Sequence, residues 1–557
     1  LSDFHKLTVI GLDGGTWDAL DRFIGRGYMP FLAELKERSS YGILNSTILP
    51  FTMPAWTTFF TGRTPGNHGI MSFWRHAPDG YNLDNVGEFV NATILGPANL
   101  WNLLSNAGRK LIVIDVPLTY PPQPINGVMI TGLLTPPGAE NMTYPPELKD
   151  ELDDYRIDLD IRTGDRFSPD STMDPMTMLP DLIDLVVRRK VNALNLMKKY
   201  PHDFFMIVFT STDRLCHFFW DLITDNDQML SSKYSASDIA GLRDQLISYC
   251  KTLDDAIRDL VAAAGQDSNV VMMSDHGFGS SPSRLFNVNC WLRQQSLLVE
   301  KTNGQDMLNP LSWIIRFGKS KWIRSITPSS IQAKFKSKVK GNFEELIDWH
   351  RTTAYYEPLY MNIGGISINA EGIKREGIVP PNQIESTLSA ITAQLLSIRD
   401  NDLGQNVIER VARREELFPG KNSQAFPDLI FFARPEYHCS NSLVEMQVVR
   451  EHSTSGRPGD HRREGIFLAS GPDFRAAIKN GIYDIVDIAP TFLYLLDVPL
   501  LDTFDGRIIE SVLSDSLLSQ RTPKVESYQD SEYDQKHSFD EAEDKALRER
   551  LKNLGYL

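Results

Sequence analysis

Leu7-Thr8-Val9-Ile10-Gly11-Leu12-Asp13-Gly14-Gly15 is a short apolar run rich in β-branched residues, closed by a carboxylate and two glycines. A run of this length fits a buried strand, Asp-Gly-Gly fits a tight turn, and the stretch from Trp17 to Ile24 fits a helix. Comparable runs occur at Lys110 to Asp115, Phe204 to Thr210, Val270 to Ser274, Leu429 to Phe432 and Gly465 to Ala469, most of them separated by helical patterns. Such alternation predicts an α/β fold with a mainly parallel central sheet and helices on both faces. Ligands in these folds gather beyond the carboxyl ends of the strands. Asp13, Asp213 and Asp275-His276 each follow one of the runs. A lone strand-end Asp is ordinarily a helix cap or turn residue, but three in one chain point to a shared site.

The chain has 557 residues, 41% of them hydrophobic, enough for several domains or for one large domain with insertions. Its four cysteines, Cys216, Cys250, Cys290 and Cys439, show no C-x-x-C spacing, which argues against a disulfide framework or a cysteine zinc site. A net charge of −15 argues against general attraction to nucleic acid, and no specific nucleic-acid binding is expected. No apolar stretch reaches the roughly 18 residues that suggest a spanning helix. A cytoplasmic chain is the default expectation, with a removed signal or tag left open because the sequence starts at Leu1.

Residues 284–350 exceed an ordinary connection and read as a cap or insertion. They divide the chain into a first core part (1–283), the insertion (284–350), a second core part (351–515) and a polar tail ending in a helix (516–557). Between Met307 and Phe343 lie Arg316, Lys319, Lys321, Arg324, Lys334, Lys336, Lys338 and Lys340, with no acidic residue. A solvated helical surface is the plainer reading; a docking surface for an anionic substrate, lipid or polyanion is the functional one. In the tail, Ala546, Leu547, Leu551 and Leu554 suit an amphipathic helix that docks on the body.

Asp213 and His217 stand four residues apart and share a face if helical, so both can reach one cation. Asp275-His276-Gly277 sets a hard oxygen ligand beside an imidazole, with a glycine that lets the chain turn away. Either pattern alone is common. They occur together with Ile10 to Gly15, with Thr52-Met53-Pro54-Ala55-Trp56-Thr57-Thr58-Phe59-Phe60-Thr61-Gly62, and with Arg63 through Gly69. In this order the motifs resemble the alkaline phosphatase superfamily, in particular its type I phosphodiesterase and nucleotide pyrophosphatase-like branch and a group of predicted phosphohydrolases or phosphomutases within it. The resemblance runs discontinuously from Leu7 to Gly506.

That resemblance implies an alkaline phosphatase-like core with two cations. Asp13, Asp275, His276 and the Thr52 oxygen would hold one. Asp213, His217 and a later histidine would hold the other; His461 is the choice for it, His452 the alternative, and His438 a less favoured candidate whose plainer reading is a surface loop residue. Thr52 would be the nucleophile. Asp348 to Ala354 and Asp505-Gly506 also resemble the branch and are assigned structural roles. One departure bears on substrate: nucleotide pyrophosphatases carry an asparagine shortly after the His-Gly-Ile run, and His68 to Phe73 has none. A sulfatase would need Cys or Ser ahead of Pro and Arg, which Thr52-Met53-Pro54-Ala55 does not supply.

The chemistry stands beside the resemblance. A threonine hydroxyl is a poor nucleophile near neutrality, and a coordinating divalent cation stabilises its alkoxide. Ahead of Pro54, Thr52 also reads as a helix cap, and a nucleophile at a helix N-terminus gains backbone donors for phosphate. Carboxylate and imidazole ligands without thiolate suit Zn2+, then Mn2+. The expected activity is a two-metal phosphate-ester hydrolase, a phosphodiesterase or phosphomonoesterase acting through a phosphothreonine. The alternatives are a phosphomutase on the same core and a non-catalytic scaffold that binds anionic ligands.

Overall fold

The computed structural model describes residues 4–75, 80–81, 83, 87–96, 98–158, 175–301, 343–443, 445–452, 457–476, 478–528 and 538–553. The eight basic residues between Met307 and Phe343 lie outside these, as does Leu554. The chain divides into two units, one of Leu1–Arg75, Glu88–Ser281 and Ser455–Leu557, the other of His76–Gly87 and Pro282–Thr454.

The first unit is built on a nine-stranded sheet. Its strands, in chain order, are β1 (Lys6–Leu12), β2 (Ser40–Asn45), β3 (Leu111–Val116), β4 (Gly127–Thr131), β5 (Thr143–Tyr144), β6 (Phe204–Phe209), β7 (Ser268–Met273), and two further strands at Glu464–Ser470 and Gly481–Asp484. Across the sheet the order is Gly481–Asp484, β2, Glu464–Ser470, β7, β1, β6, β3, β4, β5. Pairing is parallel except at Glu464–Ser470, which runs antiparallel to both neighbours, and at β5. The sheet is thus mostly parallel and covered by helices on both faces.

The period-two geometry of a strand explains the continuous apolar runs. Leu7 and Val9 of β1, with Phe204, Met206 and Val208 of β6, enter one core, together with the helices Thr52–Thr61, Leu100–Asn106 and Ile488–Leu495. Ile10 and Leu12, with Phe205, Ile207 and Phe209, enter the other, beneath the helices Trp17–Gly25, Pro175–Lys199 and Ala236–Ala264. The C-terminal helix Glu541–Asn553 docks through Leu547 and Leu551 on the first core. All four cysteines are buried free thiols. No helix among the described residues is long and apolar enough to cross a membrane.

The second unit takes in 351–454 as well as the described parts of the insertion expected at 284–350. Ala354–Tyr360, Ile363–Ile368, Ile408–Arg413 and Leu429–Ala433 form an antiparallel sheet of their own. The run at Leu429 therefore belongs to this sheet and not to the central one. An apolar run reports burial on both faces but not the identity of its neighbours, so its sequence reads like that of β7. Trp349, inside the Asp348 to Ala354 stretch, stacks on Tyr81 with ring centroids 3.5 Å apart in the core of this unit.

Candidate metal centre

Three neighbouring strands end at the same level. Leu12 of β1 lies opposite Phe209 of β6, and Gly11 opposite Met273 of β7. The residues that follow, Asp13, the helix Ser211–Ile223 and Asp275-His276, therefore come together beyond the carboxyl ends of these strands. Gly14 turns the chain with φ +64, and a Cβ there would stand 2.4 Å from Phe278 Cε2. Only glycine fits that combination of conformation and space.

The carboxylates are each held by one oxygen. Trp56 Nε1–H donates to Asp13 Oδ2 at 3.1 Å, and Gly14 N–H to Asp275 Oδ1 at 3.0 Å. Asp13 Oδ1 and Asp275 Oδ2 are buried without a hydrogen-bond partner, and so is His276 Nε2, which stands 3.8 Å from the first and 3.3 Å from the second. Asp213 and His217 face one way from the helix, with His217 Nε2 3.5 Å from Asp213 Oδ1. His461 arrives on the strand Gly459–Arg462, its Nε2 3.2 Å from the same Asp213 oxygen and 2.9 Å from His217 Nε2. Its ring stacks on His276 with centroids 3.7 Å apart.

Each of the three imidazoles has Nδ1 on a backbone carbonyl: His217 on Gly459 at 3.0 Å, His461 on Pro50 at 2.9 Å, His276 on Gly277 at 3.2 Å. A carbonyl only accepts, so Nδ1 carries the proton and Nε2 the lone pair, the state in which histidine binds metal. Two such lone pairs 2.9 Å apart, on His217 and His461, repel unless a cation lies against them.

Electrostatics point the same way. Burial, then the Asp213 charge, pushes the Asp13 carboxyl well above the usual range; burial, then the Asp13 charge, does the same to Asp275. Burial also works to raise Asp213, but the Arg214 guanidinium beside it outweighs burial and holds its carboxyl well below. Arg214 forms a buried bridge, with Nη1 on Asp213 and Nη2 2.6 Å from Asp158 Oδ2. Burial followed by Arg457 lowers His217, and burial followed by His461 lowers His276. Buried carboxylates that resist ionising, beside imidazoles that resist protonation, are the pattern a divalent cation resolves.

Three clusters place possible ligand atoms within 4.8 Å of one another: Asp13, Asp275 and His276; Asp213, His276 and His461; His217, Asp460 and His461. All six Asp and His residues singled out in the sequence are thus brought together. His438 and His452 lie in the second unit, their rings 6.1 Å apart, and neither enters these clusters. Thr52 opens the helix Thr52–Thr61, on a segment pinned by His461 Nδ1 on the Pro50 carbonyl and by Trp56 on Asp13. The N-cap position belongs to Phe51, and the Thr52 hydroxyl is buried without a hydrogen-bond partner, so it does not serve as a cap.

Four participants were not singled out from the sequence: Trp56, Arg214, Asp460 and Arg457. Trp56 and Arg214 sit inside the quoted motifs, but their roles depend on a turn and on Asp158 that spacing does not reveal. Asp460, beside His461, also accepts from the His461 N–H at 2.9 Å. The stretch from Arg63 to Gly69 ties the end of the Thr52 helix to the late chain: Thr64 and Asn67 donate to Asp505, and Arg63 to Thr503 at 2.6 Å.

Residues 7–459 match the family described as type I phosphodiesterase / nucleotide pyrophosphatase. The chain belongs to that family. It is a phosphoric-ester hydrolase family of the alkaline phosphatase superfamily, and its match ends two residues before His461. No curated protein sequence matches the chain. Among solved structures it is similar to human ectonucleotide pyrophosphatase / phosphodiesterase 5, at 13% identity and TM-score 0.48 over 92% of this chain and 100% of that one. It is also similar to an inactive variant of the murine counterpart in complex with AMP, at 12% identity and TM-score 0.47, with the same coverage. For this phosphodiesterase-family chain, the donor set of carboxylate and imidazole fits a divalent cation.

Proposed function

We propose that the chain hydrolyses a phosphate ester through a covalent phosphothreonine at Thr52, with Asp13, Asp275, His276 and Thr52 holding one divalent cation and Asp213, His217 and His461 a second. The observation that carries this reading is the set of buried atoms without hydrogen-bond partners, Thr52 Oγ1, Asp13 Oδ1, Asp275 Oδ2 and His276 Nε2. Each such atom costs a fold about 1–3 kcal/mol, so four point to a role beyond stability. Zn2+ suits the donors best and Mn2+ next.

When bound, the cations supply positive charge that lowers the pKa of a hydroxyl and offsets charge developing on the phosphoryl oxygens. The chain does the rest. Pinning Pro50 and Trp56 holds Thr52 at the helix start, and the helix N-terminus, with N–H groups that lack intrahelical acceptors, favours an anionic phosphoryl group beside the hydroxyl. Thr52 Oγ1 attacks phosphorus as its proton passes to solvent, and the bond to the leaving oxygen breaks, that oxygen taking a proton from solvent. Water then attacks the phosphothreonine, its proton passing to Thr52 Oγ1, which restores the hydroxyl and releases phosphate from a monoester or the remaining phosphate monoester from a diester.

The test is a panel of nitrophenyl phosphate mono- and diesters with wild type and Thr52→Ala, plus mass spectrometry of acid-quenched protein for phosphate on the Thr52 peptide. Thr52→Ala is expected to lose about 10³-fold or more in kcat and all of the phosphopeptide. Full activity in Thr52→Ala overturns the covalent route, and isomerised product without free phosphate, from a substrate with two hydroxyls, identifies a mutase instead.

A further inference from the structure

Asp115 and Arg189 form an ion pair that is fully shielded from solvent and has no part in the chemistry at Thr52. The pair arises from a bulge in β3. Leu111 and Val113 enter the first core and Ile112 and Ile114 the second, but it is Val116, not Asp115, that resumes the first. Asp115 is the extra residue, at φ +61, where the register with β4 shifts and the ladder with β6 has already stopped at Ile114 opposite Ile207. A bulge re-aims a side chain, and Asp is one of the few residues that tolerate this backbone conformation. Here the carboxylate is presented to Arg189 of the helix Pro175–Lys199.

The other donors of Arg189 reach toward the cation site. Nη1 donates to the Val208 carbonyl of β6 at 3.0 Å and to Thr210 Oγ1 at 3.2 Å. Nη2, beside Asp115, also donates to the Ile157 carbonyl at 2.6 Å. Thr210 is the N-cap residue of the helix Ser211–Ile223, yet its side chain makes no capping bond. Ile157 precedes Asp158, which accepts from Arg214. One guanidinium thus holds the residue that opens the helix carrying Asp213 and His217, and also the backbone beneath the Asp158–Arg214 bridge that ends on the Asp213 carboxylate. These acceptors lie around two nitrogens of a fixed fork, which a single ammonium cannot span. A buried ion pair is seldom the most stable filling for its volume, so its place behind Asp213 points to a role in positioning.

We propose that Arg189, neutralised by Asp115, is a positioning residue for the second cation: it fixes Asp213 and His217 through the start of their helix and through the Asp158–Arg214 bridge, and so sets that cation's affinity without touching cation or substrate. This rests on the two-cation reading of the site.

The test titrates the full chain, stripped by a chelator, with Co2+ and follows its visible absorption, which reports both occupancy and ligand geometry. His217→Ala identifies the step that belongs to the second cation. Arg189→Lys keeps the charge opposite Asp115 and removes the fork. Asp115→Asn combined with Arg189→Met removes both charges at similar volume, a change that buried ion pairs commonly tolerate, and Asn keeps the tolerance for positive φ. In both variants the step lost in His217→Ala is expected to weaken about 10- to 100-fold with a shifted band, and the other step to match wild type. Urea unfolding of the stripped chains is expected to show both variants folded. Wild-type affinity or an unshifted band at that step, in either folded variant, overturns the proposal. Equal weakening of both steps, or failure of both variants to fold, also overturns it and makes the pair a support for the fold alone. Wild type that binds no Co2+ defeats the two-cation reading and this inference together. Wild type that binds Co2+ in two steps but hydrolyses no nitrophenyl phosphate defeats the hydrolase reading alone; activity on such esters with both steps unchanged in the variants defeats this inference alone.

Discussion

Trp56 shows how one side chain links the core to the chemistry. Its ring is fully buried among Phe59 and neighbouring aromatics, while its only polar atom reaches back to Asp13. That bond takes one carboxylate oxygen and leaves the other directed at His276. Trp56→Phe keeps an aromatic ring but removes the donor and part of the volume. It is expected to cost about 2–3 kcal/mol in urea unfolding and to weaken cation binding about 10-fold by chelator competition. A variant with wild-type cation affinity would show that Asp13 is oriented by other means. Asp213 with His217, and Asp275 with His276, could be read as local pairs and Asp13 as a strand-end carboxylate, whereas His461 was assigned only through the family resemblance. Trp56 could not be assigned this way, since it pairs with a residue 43 positions earlier.

Among the elements, the short helix Pro65–His68 depends on a neutral histidine. Ile70 N–H donates to His68 Nδ1 at 3.0 Å, so Nδ1 must keep its lone pair, and Nε2–H is left to bond Thr58 Oγ1 at 3.0 Å on the Thr52 helix. Burial, then the Arg63 charge, pushes the imidazole down to about 3. Because the folded value lies below the unfolded one, near 6.5, the unfolded chain binds the extra proton between those two values. This contribution is therefore full above about pH 6.5 and is lost as pH falls toward 3. The Tm of His68→Gln is expected to fall less steeply than that of wild type between pH 6.5 and 4. Parallel slopes would show that His68 is protonated in the folded chain. The sequence offered this stretch only as one of the ordered motifs, and its anchorage on Asp505 and Thr58 is a tertiary fact.

At the scale of the whole molecule, charge is buried beyond the carboxyl ends of the central strands. Asp13, Asp213 and Asp275 are at most 2% exposed, and a cation offsets their mutual repulsion. Ligand that binds only the folded state stabilises it by about 4 kcal/mol at a thousand times its Kd. Stripping metal with a chelator is therefore expected to lower Tm, by on the order of 10 °C, and readdition of Zn2+ to restore it. A melting curve unmoved by chelation and by zinc would argue against a cation at these strand ends. The layered α/β architecture follows from strands apolar on both faces, each side chain set feeding its own core.

Local chemistry, then, was written in the chain: apolar runs of strand length, the carboxylates after β1 and β7, the Asp213 and His217 spacing, and Thr52 ahead of Pro54. These depend on periodicities of two and 3.6 residues, which sequence carries directly. Folding alone decided which runs share a sheet, so that Leu429–Ala433 joined an antiparallel sheet in the second unit. It also decided that His461, 244 residues beyond His217, meets it at 2.9 Å, and that Arg457 reaches the same nitrogen. Contacts between distant segments are set by the packing of the whole core, and no local spacing encodes them.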